Sequence, residues 1–458
     1  LHTGWKISPA GTHESASDML LGCALSPDGR TIAMTSAGYN AHTLVLVDVA
    51  TGKIRQTLLL ERAWNGVVWT RDGSGILASG GASPRVYAFK RRADGSYEMD
   101  RELRLPDLAM DPAKEKGKKQ AYVAGLALSS DGETLYVANI STDEIIALAL
   151  PDGRIKARRA LAEGARPYCL RLAADGSKLY VTQWALGSVI VLNPKDLSTL
   201  GTLTTGSHPN DFAFAPDGRM FVSCGNDDTV VVIDPASGQT REQIRVSLTA
   251  KSPAGTTPNA VAVAPDGKTL YIANADNNAV AVVDISQPGA SRVRGFIPTG
   301  WYPTTVVVAS DNKRLFVGSS KGLGTRPNPV ASLPIDPIAP KGYTYIGAML
   351  RGLISTVAIP DEAALAAYTR QVYANSPYKD ALIQRPAGAP KPGTNPIPSE
   401  VGGPSPIKHI LYIIKENRTY DQVFGAFRDH NGQPRGNGDP NFAPVSYTHL
   451  TLPTKRIV

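Results

Sequence analysis

Cysteine is scarce in this chain. There are three in 458 residues, Cys23, Cys169 and Cys224, far apart and with no CxxC. An odd number cannot all pair, and thiols inside or beside apolar runs read as small buried hydrophobes rather than a disulfide framework. Phenylalanine is rare too, with nine residues, which argues against a helix-rich core. No uninterrupted apolar run approaches the ~18 residues of a bilayer-spanning helix. The net charge of +8 is spread along the chain rather than gathered in a block. Its densest basic stretch, 114–119 (KEKGKK), has no interleaved aromatics, so it reads as a solvated loop and not as a nucleic-acid patch. The chain opens on Leu1, which fits a leader peptide removed or lost, and the residues alone leave the compartment open.

Glycine and proline, by contrast, are plentiful at 43 and 35 residues, and they fall in a pattern. An Asp-Gly turn recurs at Asp28-Gly29, Asp72-Gly73, Asp131-Gly132, Asp175-Gly176, Asp217-Gly218 and Asp266-Gly267, with Asp311-Asn312 in the seventh place. Successive aspartates are 44, 59, 44, 42, 49 and 45 residues apart. That is the ~40–50-residue period of four-stranded propeller blades. A tight hairpin needs positive φ, which Gly or Asn supplies, while Asp bonds back to the nearby backbone. The flanks, such as LYVA at 135–138, LYVT at 179–182 and LYIA at 270–273, are rich in β-branched and aromatic residues. Seven turns predict an all-β, seven-bladed β-propeller over 1–360, because a blade alone cannot bury both faces.

Repeats of the form P-D-G-x-x-L-Y-V-A-N resemble the YVTN-type propeller repeat, and the resemblance covers about residues 20–360. Thr3-Gly4-Trp5 is similar to Thr299-Gly300-Trp301, so residues 1–10 are expected to supply the outer strand of the last blade and close the ring.

Propeller topology puts the Asp-Gly turns on one face and the lead-in to each innermost strand on the other. At those lead-ins a second pattern recurs: Arg166-Pro167-Tyr168, His208-Pro209-Asn210, Thr257-Pro258-Asn259 and Tyr302-Pro303-Thr304. Proline could simply stiffen the turn. The functional reading makes Arg166, Trp184, His208, Asn210, Asn259 and Trp301 a polar and aromatic mouth for a ligand or a neighbouring domain. Nothing there has metal-ligand spacing, and no cluster of acidic or His residues is seen to point at the channel. An insertion over 319–352 in blade seven is expected to leave from the same face.

A short helix is expected at 361–375 from the spacing of Ala364, Leu365, Tyr368 and Val372. A Pro/Gly-rich linker follows over 376–406, with seven prolines and four glycines between 385 and 406. Then 407–415 (IKHILYIIK) reads as a strand buried on both faces of a parallel sheet, the first strand and helix of a truncated α/β domain at 407–444. Polar groups follow at its carboxyl end, where open α/β sheets place their sites. On the residues alone, Asn417 could be a helix N-cap with Asp421 in the first turns, or Glu416 and Asn417 could be hard oxygen ligands.

The run IKHILYIIKENRTYDQVFG at 407–425 is similar to the opening motif of the phosphoesterase family that includes phospholipase C-type enzymes and a class of acid phosphatases, within the alkaline phosphatase superfamily. The resemblance implies that Glu416 and Asn417 bind a catalytic divalent metal ion in the intact parent protein. It further implies a phosphate ester or phospholipid substrate, export to the periplasm or beyond, and a propeller face that packs on the phosphoesterase domain. The nucleophilic Ser or Thr and the remaining Asp and His ligands are expected beyond the end of this chain, so the fragment is expected to be inactive. The alternative is a ligand- or protein-binding propeller without catalysis. A lactonase-like or quinoprotein-like propeller enzyme finds no support in the residues. The last stretch, 445–458, resembles translated sequencing-adapter read-through rather than protein.

Overall fold

The structure is a computed structural model that describes residues 4–249, 252, 254–324, 346–377, 396–397, 405–411 and 425–433. It divides into two units, 1–380 and 381–458. Outside the described residues lie Glu416, Asn417, most of the 319–352 insertion, most of the linker and the whole of 445–458.

Unit 1 is a ring of seven antiparallel four-stranded sheets. The innermost strands are Leu20–Leu25, Val67–Trp69, Val123–Leu128, Pro167–Leu172, Pro209–Phe214, Pro258–Val263 and Pro303–Val308, which open blades 1 to 7 in that order. Each innermost strand contacts the next, and that of blade 7 returns to that of blade 1. The apolar core is correspondingly divided among the seams. Among the described residues, seven buried clusters each join two adjacent blades, for example Ala33, Leu44 and Leu46 of blade 1 with Trp69, Ile76 and Tyr87 of blade 2. Burial therefore comes from stacking, which is why the ring is the stable unit.

Each repeated turn is built alike. The aspartate Oδ1 accepts the backbone N–H two residues on, at 2.9–3.1 Å, in all seven blades. The next residue takes φ between +53° and +88°. Hydrogen bonds donated by Ser26, Thr70 and Ser129 hold the Asp28, Asp72 and Asp131 carboxyls below the usual carboxylate range, Asp72 at about 2. The backbone N–H groups of Ser177 and Lys313 do the same for Asp175 and Asp311. A carboxyl lowered in the folded state contributes stability above its unfolded value of ~3.9 and loses that contribution as pH falls through the folded value. The urea midpoint is therefore expected to be flat above about pH 5 and to fall between about pH 4 and 2, read by circular dichroism at fixed ionic strength.

One expectation needs correction. The outer strand of blade 7 is Thr12–Ala16, not residues 1–10. It pairs antiparallel with Gly352–Ala358, from Thr12 opposite Thr356 to Ala16 opposite Gly352. Trp5 instead packs with Val372 in the cluster between blades 5 and 6. The strand expected at 407–415 lies mostly outside the described residues; the described 407–411 carries no strand, and Ile410 and Leu411 there are exposed.

The long gap between Asp72 and Asp131 holds an added parallel pair, Leu108–Ala109 with Lys119–Gln120. The lysine-rich loop between them is solvated, with Lys114 paired to Asp111 and Lys118 to Glu115. The helix Glu362–Asn375 is capped by Asp361, which accepts the Ala364 N–H at 2.8 Å. It lies on the outer strand of blade 6, where Thr369 Oγ1 accepts the Phe296 N–H at 2.9 Å. No described helix is long and apolar enough to cross a membrane.

Candidate functional site: the channel and its mouth

The lead-ins are held by a recurring device. Arg166, His208, Thr257 and Tyr302, each just before a proline, take φ of +52° to +65°. A non-glycine residue rarely stays in that region unless its surroundings impose it. At three of the four lead-ins the surroundings are side chains from the preceding blade. Asp143 Oδ1 accepts the Arg166 N–H at 2.7 Å, Asp228 Oδ1 accepts the Thr256 N–H at 2.7 Å, and Asn278 Oδ1 accepts the Tyr302 N–H at 3.0 Å. The mouth is thus a rigid rim stitched from blade to blade.

Along this rim three blades are linked through side chains. The Trp184 Nε1–H donates to Asn210 Oδ1 at 2.8 Å, and Asn210 Nδ2 donates to Asn259 Oδ1 at 3.0 Å. Burial raises the Tyr302 phenol, and nearby Asp276 adds to this. Trp184 meets the His208 ring edge-on, with centroids 4.1 Å apart. Lys321 Nζ lies 4.2 Å from the Tyr302 ring centre and 5.2 Å from that of Trp301. Six mouth residues were expected from the sequence. Trp184, His208, Asn210 and Asn259 come together directly. Trp301 is grouped instead with Tyr302 around Lys321. Arg166 contributes backbone, its carbonyl accepting the Trp184 N–H at 3.2 Å.

Beneath the rim the channel opens into a cavity of about 110 Å³ lined by the innermost strands of all seven blades. Its lining is lopsided. At one level of the repeat, blades 1 to 3 place Gly22, Gly66 and Gly125, while blades 4 to 7 place Cys169, Asp211, Ala260 and Thr305, as the strand registers show. Two residues further in, the positions are Ala24, Val68, Ala127, Arg171, Ala213, Ala262 and Val307. Arg171 is the charged member of that ring. Its Nη2 meets Asp211 Oδ1 at 2.8 Å, and its Nε donates to the Phe212 carbonyl at 2.6 Å. Asp211 also accepts the Cys169 Sγ–H at 3.4 Å and the Val261 N–H at 3.2 Å. Although Arg171 lies deep in the body of the ring, its side chain is 46% exposed, because the channel admits water.

The sequence reading missed this ion pair. A visible signal existed, since Arg171 stands where every other repeat has Ala or Val. It also took the cysteines for core thiols. Cys224 is one, but Cys23 and Cys169 line the cavity. Burial pushes both channel thiols up to about 12, with Asp211 adding to it. At that value the thiolate fraction at neutral pH is negligible and nucleophilic chemistry is closed to them. Iodoacetamide at pH 7.5 is expected to leave both unmodified in the native protein and to alkylate them in urea, read by intact mass.

Among the described residues no group of three His, Cys, Asp or Glu side chains is placed to hold a metal ion. Glu416 and Asn417 lie outside the described residues.

Ring, seams and channel together define a seven-bladed β-propeller. A family model, YNCE-like beta-propeller, matches residues 113–325. No curated protein matched the chain. Among solved structures it is similar to the Kuenenia stuttgartiensis hydrazine synthase, at 18% identity and TM-score 0.53, covering 69% of this chain and 94% of that one. It is likewise similar to a chain of the mitotic checkpoint complex, at 12% identity and TM-score 0.56, covering 78% and 93%. The WD40 repeats of RRP9 match at 10% identity and TM-score 0.57, covering 77% and 100%. At these identities the likeness is one of fold alone.

Proposed function

We propose that this propeller is a recognition module that takes a small polar ligand at the mouth of its channel. The observation that carries the reading is the side-chain relay from Trp184 through Asn210 to Asn259, spanning three blades above a water-accessible cavity with an ion pair. Concave sites with a few fixed polar groups among apolar walls suit small molecules. The rim is rigid, so little ordering accompanies binding. Saturation-transfer NMR with a panel of short carboxylic acids, amides and monosaccharides tests this. Signals are expected with the native chain and should weaken about tenfold in N210A, whose loss removes one hydrogen-bond partner. Absence of any signal, or signals unchanged in both N210A and W184A, would sink the reading.

A second reading rests on the motif at 407–425. We infer that the propeller serves a metal-dependent phosphoesterase exported from the cytoplasm, with Glu416 and Asn417 as hard oxygen ligands to a divalent cation. Its support is the density of that motif. The source reading frame past Pro444 tests it. A Ser or Thr nucleophile and further Asp and His ligands are expected there, and their lack would remove this reading.

A further inference from the structure

The recognition reading leaves open what the cavity accepts, and the two walls differ enough to narrow it. On blade 4, Arg171 uses Nε on the Phe212 carbonyl and Nη2 on Asp211, which leaves Nη1 without a protein acceptor among the described residues. A guanidinium presents five N–H donors in a flat fork that matches a carboxylate. The fork is held in place. Its carbon lies 5.7 Å from the centre of the Phe212 ring, and Asp211 is itself fixed by Cys169 and the Val261 N–H. Leu21, Val67 and Leu126 of blades 1 to 3 line the same cavity. The space of about 110 Å³ holds only a few water molecules at ~30 Å³ each.

We propose that the channel is a site for a short monocarboxylate, its head on Arg171 Nη1 and its alkyl end against Leu21, Val67 and Leu126. This rests on the recognition reading above. A monoanion fits better than a dianion. Asp211 already balances the Arg171 charge, and each extra uncompensated charge at this depth is costly. The thiols are no competitors, since they stay protonated. Asp211 is the competing acceptor for the same fork.

The test is calorimetric titration of the full chain with sodium acetate and sodium butyrate at constant ionic strength, with sodium chloride and inorganic phosphate in parallel arms. Saturable acetate binding is expected, weakened about ten- to a hundredfold in R171M, the range for a charge-assisted hydrogen bond. R171K keeps the charge without the fork and should lie between, which covers the case of R171M failing to fold. D211N frees the fork and should bind acetate more tightly. Failure of the native chain to bind acetate, binding unaffected by R171M or R171K, weaker binding in D211N, or preference for phosphate would each overturn the proposal. If acetate fails while other small molecules still bind in an Asn210-dependent way, the recognition reading stands and the carboxylate assignment alone falls.

Discussion

Deleting residues 1–16 is expected to lower the unfolding free energy by about 4 kcal/mol and to make the protein self-associate. The figure follows from the pairing of Thr12–Ala16 with Gly352–Ala358, a ladder of five residue pairs. Four or five backbone hydrogen bonds at ~1 kcal/mol each give that magnitude. Ala16 leaves the cluster that joins blades 7 and 1, and Trp5 leaves the cluster that joins blades 5 and 6. Two further ties go with them: the Lys6 N–H donates to the Asn375 carbonyl at 2.9 Å, and Ser8 Oγ meets Asn375 at 2.8 Å. The ring is closed between distant parts of the sequence, so this strand acts on cooperativity as well as on stability. Its removal leaves Gly352–Ala358 as an open edge ready to pair with another chain. Urea unfolding read by tryptophan fluorescence measures the first effect, and size-exclusion chromatography the second. A truncated protein that is monomeric and unchanged in midpoint would contradict the pairing.

What the sequence revealed depended on how local each feature is. The aspartate turns are closed by atoms two residues apart, so their spacing alone yielded the blade number and the strand flanks. The closing strand is not local. The likeness of Thr3-Gly4-Trp5 to Thr299-Gly300-Trp301 pointed to the right part of the chain, but the structure spends Trp5 on the seam between blades 5 and 6 and pairs Thr12–Ala16 instead. Arg166, His208, Asn210 and Asn259 were legible because each flanks a repeated proline. Arg171 and Asp211 were not, since their contact spans 40 residues and two blades. Comparing equivalent positions across the repeats, rather than searching for motifs, would have found Arg171 among alanines and valines.

The glycines of the first three innermost strands set the second large effect. A Cβ on Gly22 would lie 2.1 Å from the Asn65 carbonyl oxygen, one on Gly66 2.2 Å from that of Ala124, and one on Gly125 2.3 Å from that of Tyr168. In every case the obstacle is backbone of the next blade, which cannot swing aside as a side chain can. Blades 1 to 4 therefore approach one another closely around the axis at these glycines. Inserting a methyl group must push two innermost strands apart and disturb the seam clusters behind them. Overpacking of a well-filled core costs typically 1–3 kcal/mol and more where the backbone must move. Gly66→Ala and Gly125→Ala are each expected to cost about 3 kcal/mol. Gly201→Ala is the matched control, because it lies on the outer strand Thr199–Thr204 with nothing within 4 Å of its would-be Cβ. There the change should stay within about 0.5 kcal/mol, as for surface positions generally. Chemical denaturation of the three variants measures this. Equal midpoints for Gly66→Ala and Gly201→Ala would mean that the blades do not approach as closely at the axis as the carbonyl distances require.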